Sequence, residues 1–422
     1  MHYLYTCTDC NKQFNSDYIE DNDIYLCPEC GALPKNAPLK GVLEVNYDFD
    51  FIKKKYPREV SFEKLSSNLE SIPYLFPLLF ENNFLKGISE LKKEKIKLTS
   101  IFTTVEYKKN RLYLLDDSRN PTFSFKDRAS VLVAIKAIQL GKNSVICAST
   151  GNAGSSIAGI CTKLGLKSVI FVPEKIPIPK KLQIEMYGAD LIKVNGDYDY
   201  AFDLSLLFTE KLKMYNRNTA YNPLTIEGKK TAAYDIFNRF KEEGIPNKII
   251  IPAGDGVIVG GLYKGFKDLL NLELIERLPE FIVAQPANGC AIIDYLETGT
   301  FTYKNSETIA DSLSAGAPRN LYMAVRAIKE SNGIGIRIED DQSLQYQRVL
   351  SSKYGILVEP AASITLAAYD KLLESNYITK NDKVLLLLTG NGLKDTKSFE
   401  KYANKDVIYS ELDLYGHFGI EK

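Results

Sequence analysis

The chain has 422 residues, 45% apolar and 25% charged, enough to bury a large core divided among two or three domains and too much for a short module or a disordered tail. Its 53 basic and 53 acidic side chains cancel, which leaves no electrostatic footprint for nucleic acid or an anionic membrane surface and makes a small molecule the expected partner. Only two histidines occur, His2 and His417, one at each end, so no Ser/His/Asp or Cys/His relay can be assembled in the middle. No run approaches the roughly 20 apolar residues of a bilayer span, and residues 1–5 lack the basic head and apolar core of a signal peptide; a cytoplasmic protein is expected.

Four of the seven cysteines fall within the first 30 positions, as Cys7-Thr-Asp-Cys10 and Cys27-Pro-Glu-Cys30, two CxxC pairs separated by 16 residues. This is the spacing of a tetrahedral zinc site. Four thiolates leave no open position, so Cys7, Cys10, Cys27 and Cys30 predict a structural Zn2+. Gly31 is expected to supply the backbone freedom such a turn needs. Redox dithiols are one alternative, and a nucleic-acid-binding ribbon is another. Charge opposes the second: residues 1–40 hold Lys12, Lys35 and Lys40 against Asp9, Asp17, Glu20, Asp21, Asp23 and Glu29, and phosphate would be repelled.

Residues 45–115 are irregular, with a helix expected near 62–69 and a strand pair near 101–115. Asn120-Pro-Thr-Phe-Ser-Phe-Lys-Asp-Arg128 then leads into a helix at 129–140, with Ser124 as its N-cap and Lys126 in the first turn. The helix dipole disfavours a cation there and eases access to the neutral amine, the form that makes a Schiff base. On local sequence alone, an ordinary helix-start cation is the simpler reading. From residue 143 onward, strands expected at 144–148, 168–172, 191–194, 248–251, 281–285 and 383–388 alternate with helical segments at 154–164 and 180–187, the pattern of a doubly wound parallel sheet. Three strands end in glycine loops: Ser149-Thr-Gly-Asn-Ala-Gly154, Pro252-Ala-Gly-Asp-Gly256 and Thr389-Gly-Asn-Gly392. Open α/β sheets bind ligands at such strand ends. Gly254, Gly256 and Gly260 also have the form GxGxxxG, so a dinucleotide site stays open at this point. Cys147, Cys161 and Cys290 read as small core residues.

Three motifs share one resemblance. Asn120-Pro-Thr-Phe-Ser-Phe-Lys-Asp-Arg128, Ala148-Ser-Thr-Gly-Asn-Ala-Gly154 and Leu388-Thr-Gly-Asn-Gly-Leu-Lys-Asp395, in this order over residues 100–395 and behind a zinc ribbon, resemble the threonine synthase branch of the fold-type II pyridoxal-phosphate (PLP) enzymes. The resemblance implies an α/β fold of the tryptophan synthase β type. It divides the chain into a zinc ribbon at 1–40, a large PLP-binding α/β domain from 41–128 and 215–422, and a small α/β domain at 129–214. It further implies pyridoxal 5'-phosphate on Lys126, which also carries protons, with Asn152 at the cofactor's phenolic oxygen. Gly254, Asp255, Gly256 and Val257 would cradle the cofactor phosphate, Thr389 would meet the pyridine nitrogen, and Ser149 and Thr150 would hold the substrate carboxylate. The implied reaction converts O-phospho-L-homoserine and water to L-threonine and phosphate, in a homodimer by base rate.

The chain departs from that pattern at four places, the first being residues 87–100, which are Lys-rich and lack the family's glycine-rich, Thr-Pro-containing turn. Phe123 stands where the family commonly has glycine, bringing a bulky ring into the approach to the lysine, and Asp255 puts a negative charge in the phosphate loop. Thr225, in Asn222-Pro-Leu-Thr-Ile-Glu-Gly-Lys-Lys-Thr231, stands where an arginine usually grips the substrate phosphate; Arg319 is the substitute cation. Thr225 and Arg319 are thus the substrate-binding positions at issue. The alternative activity is PLP-dependent β-replacement or β-elimination on phosphoserine or a related amino acid, as in a cysteate synthase, and the non-enzymatic alternative is a zinc-ribbon binding protein.

Overall fold

The computed structural model describes residues 3–55, 96–98, 100–174, 176–196, 198–402 and 410–420; the helix expected at 62–69 lies outside them. At the amino terminus β1 (Tyr3–Cys7), β2 (Gln13–Asn15) and β3 (Leu43–Tyr47) form an antiparallel sheet in the order β2-β1-β3. The ribbon therefore runs past the expected boundary at residue 40. Leu43 pairs with Cys7 and Tyr47 with Tyr3, so the return strand closes the sheet across the cysteine knuckle.

The strand pair expected near 101–115 is the hairpin of β4 (Phe102–Tyr107) and β5 (Asn110–Asp116). Next come β6 (Ser144–Ala148), β7 (Lys167–Pro173), β8 (Asp190–Val194) and β9 (Tyr215–Asn216), which make a parallel sheet in the order β8-β7-β6-β9. Strand β9 was expected in the large domain, but it is hydrogen-bonded to β6, so the small sheet extends beyond residue 214. A two-residue strand has no apolar period to betray it. The remaining strands, β10 (Lys248–Pro252), β11 (Glu280–Pro286), β12 (Ile334–Ile338) and β13 (Val384–Leu388), join the hairpin in the order β12-β11-β10-β13-β5-β4. All of its pairs are parallel except β4–β5. Strands β6, β10 and β13 are buried at every residue, as continuous apolar runs between two helical layers should be.

The ribbon is docked by paired charge and stacked rings. Glu20 forms a buried ion pair with Lys136 on the helix Asp127–Gln139. Tyr25 stacks on Tyr221 at 5.1 Å and accepts a hydrogen bond from the Asn216 backbone N–H at 2.9 Å. Tyr47 donates to Glu227 on the short helix Leu224–Lys229. Among the described residues no helix is long and apolar enough to cross a membrane.

Candidate active site

The three glycine loops converge at the carboxyl ends of β6, β10 and β13, and the lysine segment is laid against one of them. Phe125 N–H donates to Thr389 O at 2.8 Å, Asn391 N–H donates to Phe123 O at 3.2 Å, and Ser124 bridges Gly390. These bonds carry Lys126 to the mouth of the cleft. The helix begins at Asp127 and not at the expected residue 129, which makes Lys126 itself the N-cap. Ser124 does not cap it through its side chain: the Ser124 hydroxyl is buried without a partner. Asp127 sets the turn instead, accepting from Thr122 N–H and from Ser156 Oγ, both at 2.6 Å. Arg128 is anchored by a two-pronged pair to Asp117 at 2.5 and 2.9 Å and by Asp235 at 2.6 Å. Lys126 is thus followed directly by two buried, hydrogen-bonded charges. Burial holds its amine below the ordinary lysine range, with Asp255 and Glu359 opposing that shift and Arg217 and Lys180 adding to it.

Phe123 has a φ of +68° and an exposed ring. This is the left-handed backbone that glycine adopts without strain, and the ring lies in solvent.

Asn152 opens the helix Asn152–Leu164 after β6. Its Nδ2 donates to Glu359 Oε2 at 2.7 Å and to Ser312 Oγ at 3.4 Å, while its Oδ1 is buried without a partner. Ser149 Oγ accepts from Gly151 N–H at 3.2 Å, and Thr150 lies half-buried beside it. In the second loop a Cβ on Gly254 would meet Leu313 Cα at 2.8 Å; Gly256 has a φ of +83°, and its Cβ would meet Asn320 O at 2.8 Å. Asp255 does not turn away from this loop. Its Oδ1 accepts from Val257 N–H at 3.1 Å, and neighbouring Lys126, Lys229 and Arg217 hold its carboxyl below the ordinary range against the opposing effect of burial. Thr389 ends β13 half-buried, its carbonyl taken by Phe125.

Two expected substrate positions are placed otherwise than anticipated. Thr225 is fully buried and its hydroxyl donates to Asn222 O at 2.7 Å while accepting from Ala220 N–H at 3.1 Å. Its only proton is spent within a turn, so Thr225 cannot donate to a phosphate. Arg319 is not a free loop cation. It pairs with Asp199 at 2.9 Å and lies 4.0 Å over the Phe202 ring, joining the large domain to the helix Tyr198–Leu212 of the small one. Cys290 is half-buried and donates to Ala287 O, so it is not a core residue, whereas Cys147 and Cys161 are. Burial pushes the Cys147 thiol up to about 11.

Sequence reasoning missed the residues that span the cleft. Glu359, at the N-cap of the helix Pro360–Glu374, meets Lys180 Nζ at 3.1 Å as well as Asn152. Lys180 also reaches Asp311 at 2.6 Å. Lys394 donates to Thr122 O, Ser155 Oγ and Gln183 Oε1 at 2.8, 3.0 and 2.7 Å, and burial lowers its amine to about 8. The one available signal was the Glu359-Pro360 pair, an acid followed by proline at a helix start.

The comparisons agree with this geometry. A profile of the family described as "Pyridoxal-phosphate dependent enzyme" matches residues 96–390. Threonine synthase of Methanocaldococcus jannaschii is 31% identical over 415 residues, 97% of each chain, and that of Methanosarcina acetivorans is 30% identical over 94% of this chain and 93% of its own. Among solved structures, diaminopropionate ammonia lyase from Escherichia coli superposes with a TM-score of 0.62 at 18% identity, over 75% of this chain and 89% of that one. Maize serine racemase gives 0.62 at 16% identity, over 85% and 97%. A lysine held in a cleft by glycine loops, on a chain with this match from end to end, has one family reading: the chain belongs to the pyridoxal-phosphate-dependent enzymes, in their threonine synthase branch.

Proposed function

We propose that the chain converts O-phospho-L-homoserine and water to L-threonine and inorganic phosphate in the cytoplasm, as a homodimer, with PLP held on Lys126. The observation that carries this reading is the half-buried Lys126, on a segment hydrogen-bonded to the Thr389 loop, where the three strand-end loops meet. The residues fit the cofactor. Gly254 and Gly256 leave a cradle that no side chain could share, as a phosphate bound by backbone N–H groups requires. When bound, PLP supplies the electron sink for bond changes next to the amino-acid α carbon.

The chain's own groups do the rest. Lys126 takes and returns protons, and its lowered affinity for them matches an amine that must be neutral to act. With the cofactor bound, the free backbone N–H groups within 254–257 would receive its phosphate, Val257 N–H being given to Asp255; the Thr389 hydroxyl would meet the pyridine nitrogen, Asn152 would orient the phenolic side, and Ser149 and Thr150 would hold the substrate carboxylate. The test is phosphate release from O-phospho-L-homoserine with product identification. Threonine and phosphate are expected in equal amounts; turnover of phosphoserine without threonine would replace this reading with the β-replacement one.

Zinc completes the proposal. The four Sγ atoms of Cys7, Cys10, Cys27 and Cys30 all lie within 4.8 Å of one another, with pairs at 3.4 and 3.7 Å. A tetrahedron with Zn–S bonds of about 2.3 Å has edges of about 3.8 Å. The Asp9 and Cys10 N–H groups point at Cys7 Sγ, each at 3.4 Å, which steadies a thiolate. Gly31 is needed here for space and not for conformation: its Cβ would come 2.5 Å from Cys27 O, while Gly41 has the positive φ, +68°. All seven cysteines are free thiols, in keeping with a reducing compartment. One zinc per chain is expected by atomic absorption. Its removal by a chelator should lower the thermal midpoint by several degrees, because the docked ribbon loses its closure.

A further inference from the structure

Beside Lys126 lie two cations that the proposed chemistry leaves unused. Lys229 is fully buried, and its Nζ has no hydrogen-bond partner. Arg217, also fully buried, donates from Nη1 to Thr219 Oγ1 at 2.6 Å and from Nε to Ser130 Oγ at 3.4 Å, but its Nη2 is unpartnered. Lys126, Lys229, Arg217 and Asp255 act on one another electrostatically. Three basic side chains therefore face one carboxylate, and that carboxylate already spends an oxygen on Val257 N–H. Burial, with Lys126 and Arg217 adding to it, holds the Lys229 amine well below the ordinary lysine range, as expected of a buried amine that no anion joins.

Helical geometry supplies the second strand of the argument. Thr225 and Lys229 lie four residues apart on the helix Leu224–Lys229, hence on one face a turn apart. The Lys229 stem packs against the helix Val257–Asn271, where a Cβ on Gly261 would fall 2.5 Å from Lys229 Cβ. That sets the Lys229 stem against the helix that follows the phosphate loop, while Thr225 is spent in its own turn.

We infer that Lys229 and Arg217 form a buried site for a phosphoryl group, occupied by the phosphate of the amino-acid substrate. The inference rests on the function proposed above. The cofactor's phosphate has the same chemistry, but it has the backbone N–H groups at 254–257 to receive it. Lys229 gives the substrate phosphate a point charge and Arg217 a directed N–H, together replacing the guanidinium that position 225 lacks.

The test uses the PLP-loaded protein and the variants Lys229→Met, Lys229→Gln and Arg217→Lys. The methionine variant removes a buried amine that has no hydrogen-bond partner, so it should fold and melt at or above the wild-type temperature. Its KM for O-phospho-L-homoserine should rise about 10- to 100-fold, with a smaller change in kcat. Inorganic phosphate should raise the melting temperature of the wild type and not of Lys229→Met, while the visible spectral response to L-threonine and the affinity for PLP should be unchanged. An unaltered KM and unaltered phosphate response would overturn the inference. Weakened PLP binding with an unaltered KM would also overturn it, assigning the cations to the cofactor. If the wild type does not turn over O-phospho-L-homoserine, the functional reading falls, and the phosphate melting shift still decides the site.

Discussion

Lys126→Ala is expected to abolish the visible absorption of the PLP-loaded protein and to lower turnover by about 10⁴-fold, since one side chain serves as both covalent anchor and proton carrier. The structure says why no neighbour would rescue it. Lys229 is fully buried with its stem packed against Gly261, and Lys180 and Lys394 are tied to Glu359 and Asp311 and to Thr122, Ser155 and Gln183. The variant should still fold, because Lys126 donates no side-chain hydrogen bond as the N-cap of its helix. Burial lowers the affinity of Lys126 for protons, and this fixes the sign of a second readout. Between the depressed folded value and the ordinary lysine value of about 10.4, the unfolded chain binds more protons than the folded one, so stability without cofactor rises with pH across that window. Lys126→Met should flatten that rise. In the same window the cofactor-free wild type should capture added PLP faster as pH increases. An absorption band that persists in Lys126→Ala would remove the lysine from the site.

What the sequence made legible follows from what local pattern encodes. The four-cysteine cluster shows through a fixed CxxC spacing, and β6, β10 and β13 through apolar runs, because both signals lie within a few residues. Strand β9 and the return strand β3 were misplaced, since their membership depends on partners far along the chain: Tyr215 on Val145, Tyr47 on Tyr3. The buried charges were harder still. Lys180, Lys229, Arg217 and Lys394 carry no local signal of burial, and only tertiary structure buries them. Thr225 shows the reverse error: its position in a family motif suggested a ligand, and its neighbours Asn222 and Ala220 turn it into a turn residue.

Glu359 carries the second large prediction. This carboxylate rises from the large domain and is held by two small-domain groups, Asn152 Nδ2 at 2.7 Å and Lys180 Nζ at 3.1 Å, with all three buried. Gly390 makes room for it: a Cβ there would fall 1.8 Å from Glu359 Oε2. Glu359→Ala should cost about 3 kcal/mol, the lower end of the range for breaking a buried pair, because Asp311 stays on the Lys180 amine at 2.6 Å. Glu359→Gln keeps an acceptor for Asn152 and loses only the charge, so about 1–2 kcal/mol is expected. Urea unfolding measures both, and a double-mutant cycle with Lys180→Met should show coupling of at least about 1 kcal/mol. Equal effects of alanine and glutamine, with no coupling to Lys180, would mean that the pair does not hold the domains together. The expected functional consequence follows from the same geometry. Asn152 and Lys180 sit on the small domain's face of the cleft, so freeing Asn152 and leaving Lys180 held by Asp311 alone loosens that face relative to Lys126. Glu359→Ala should therefore raise KM for the amino-acid substrate more than Glu359→Gln does, while the visible band, which depends on Lys126, remains.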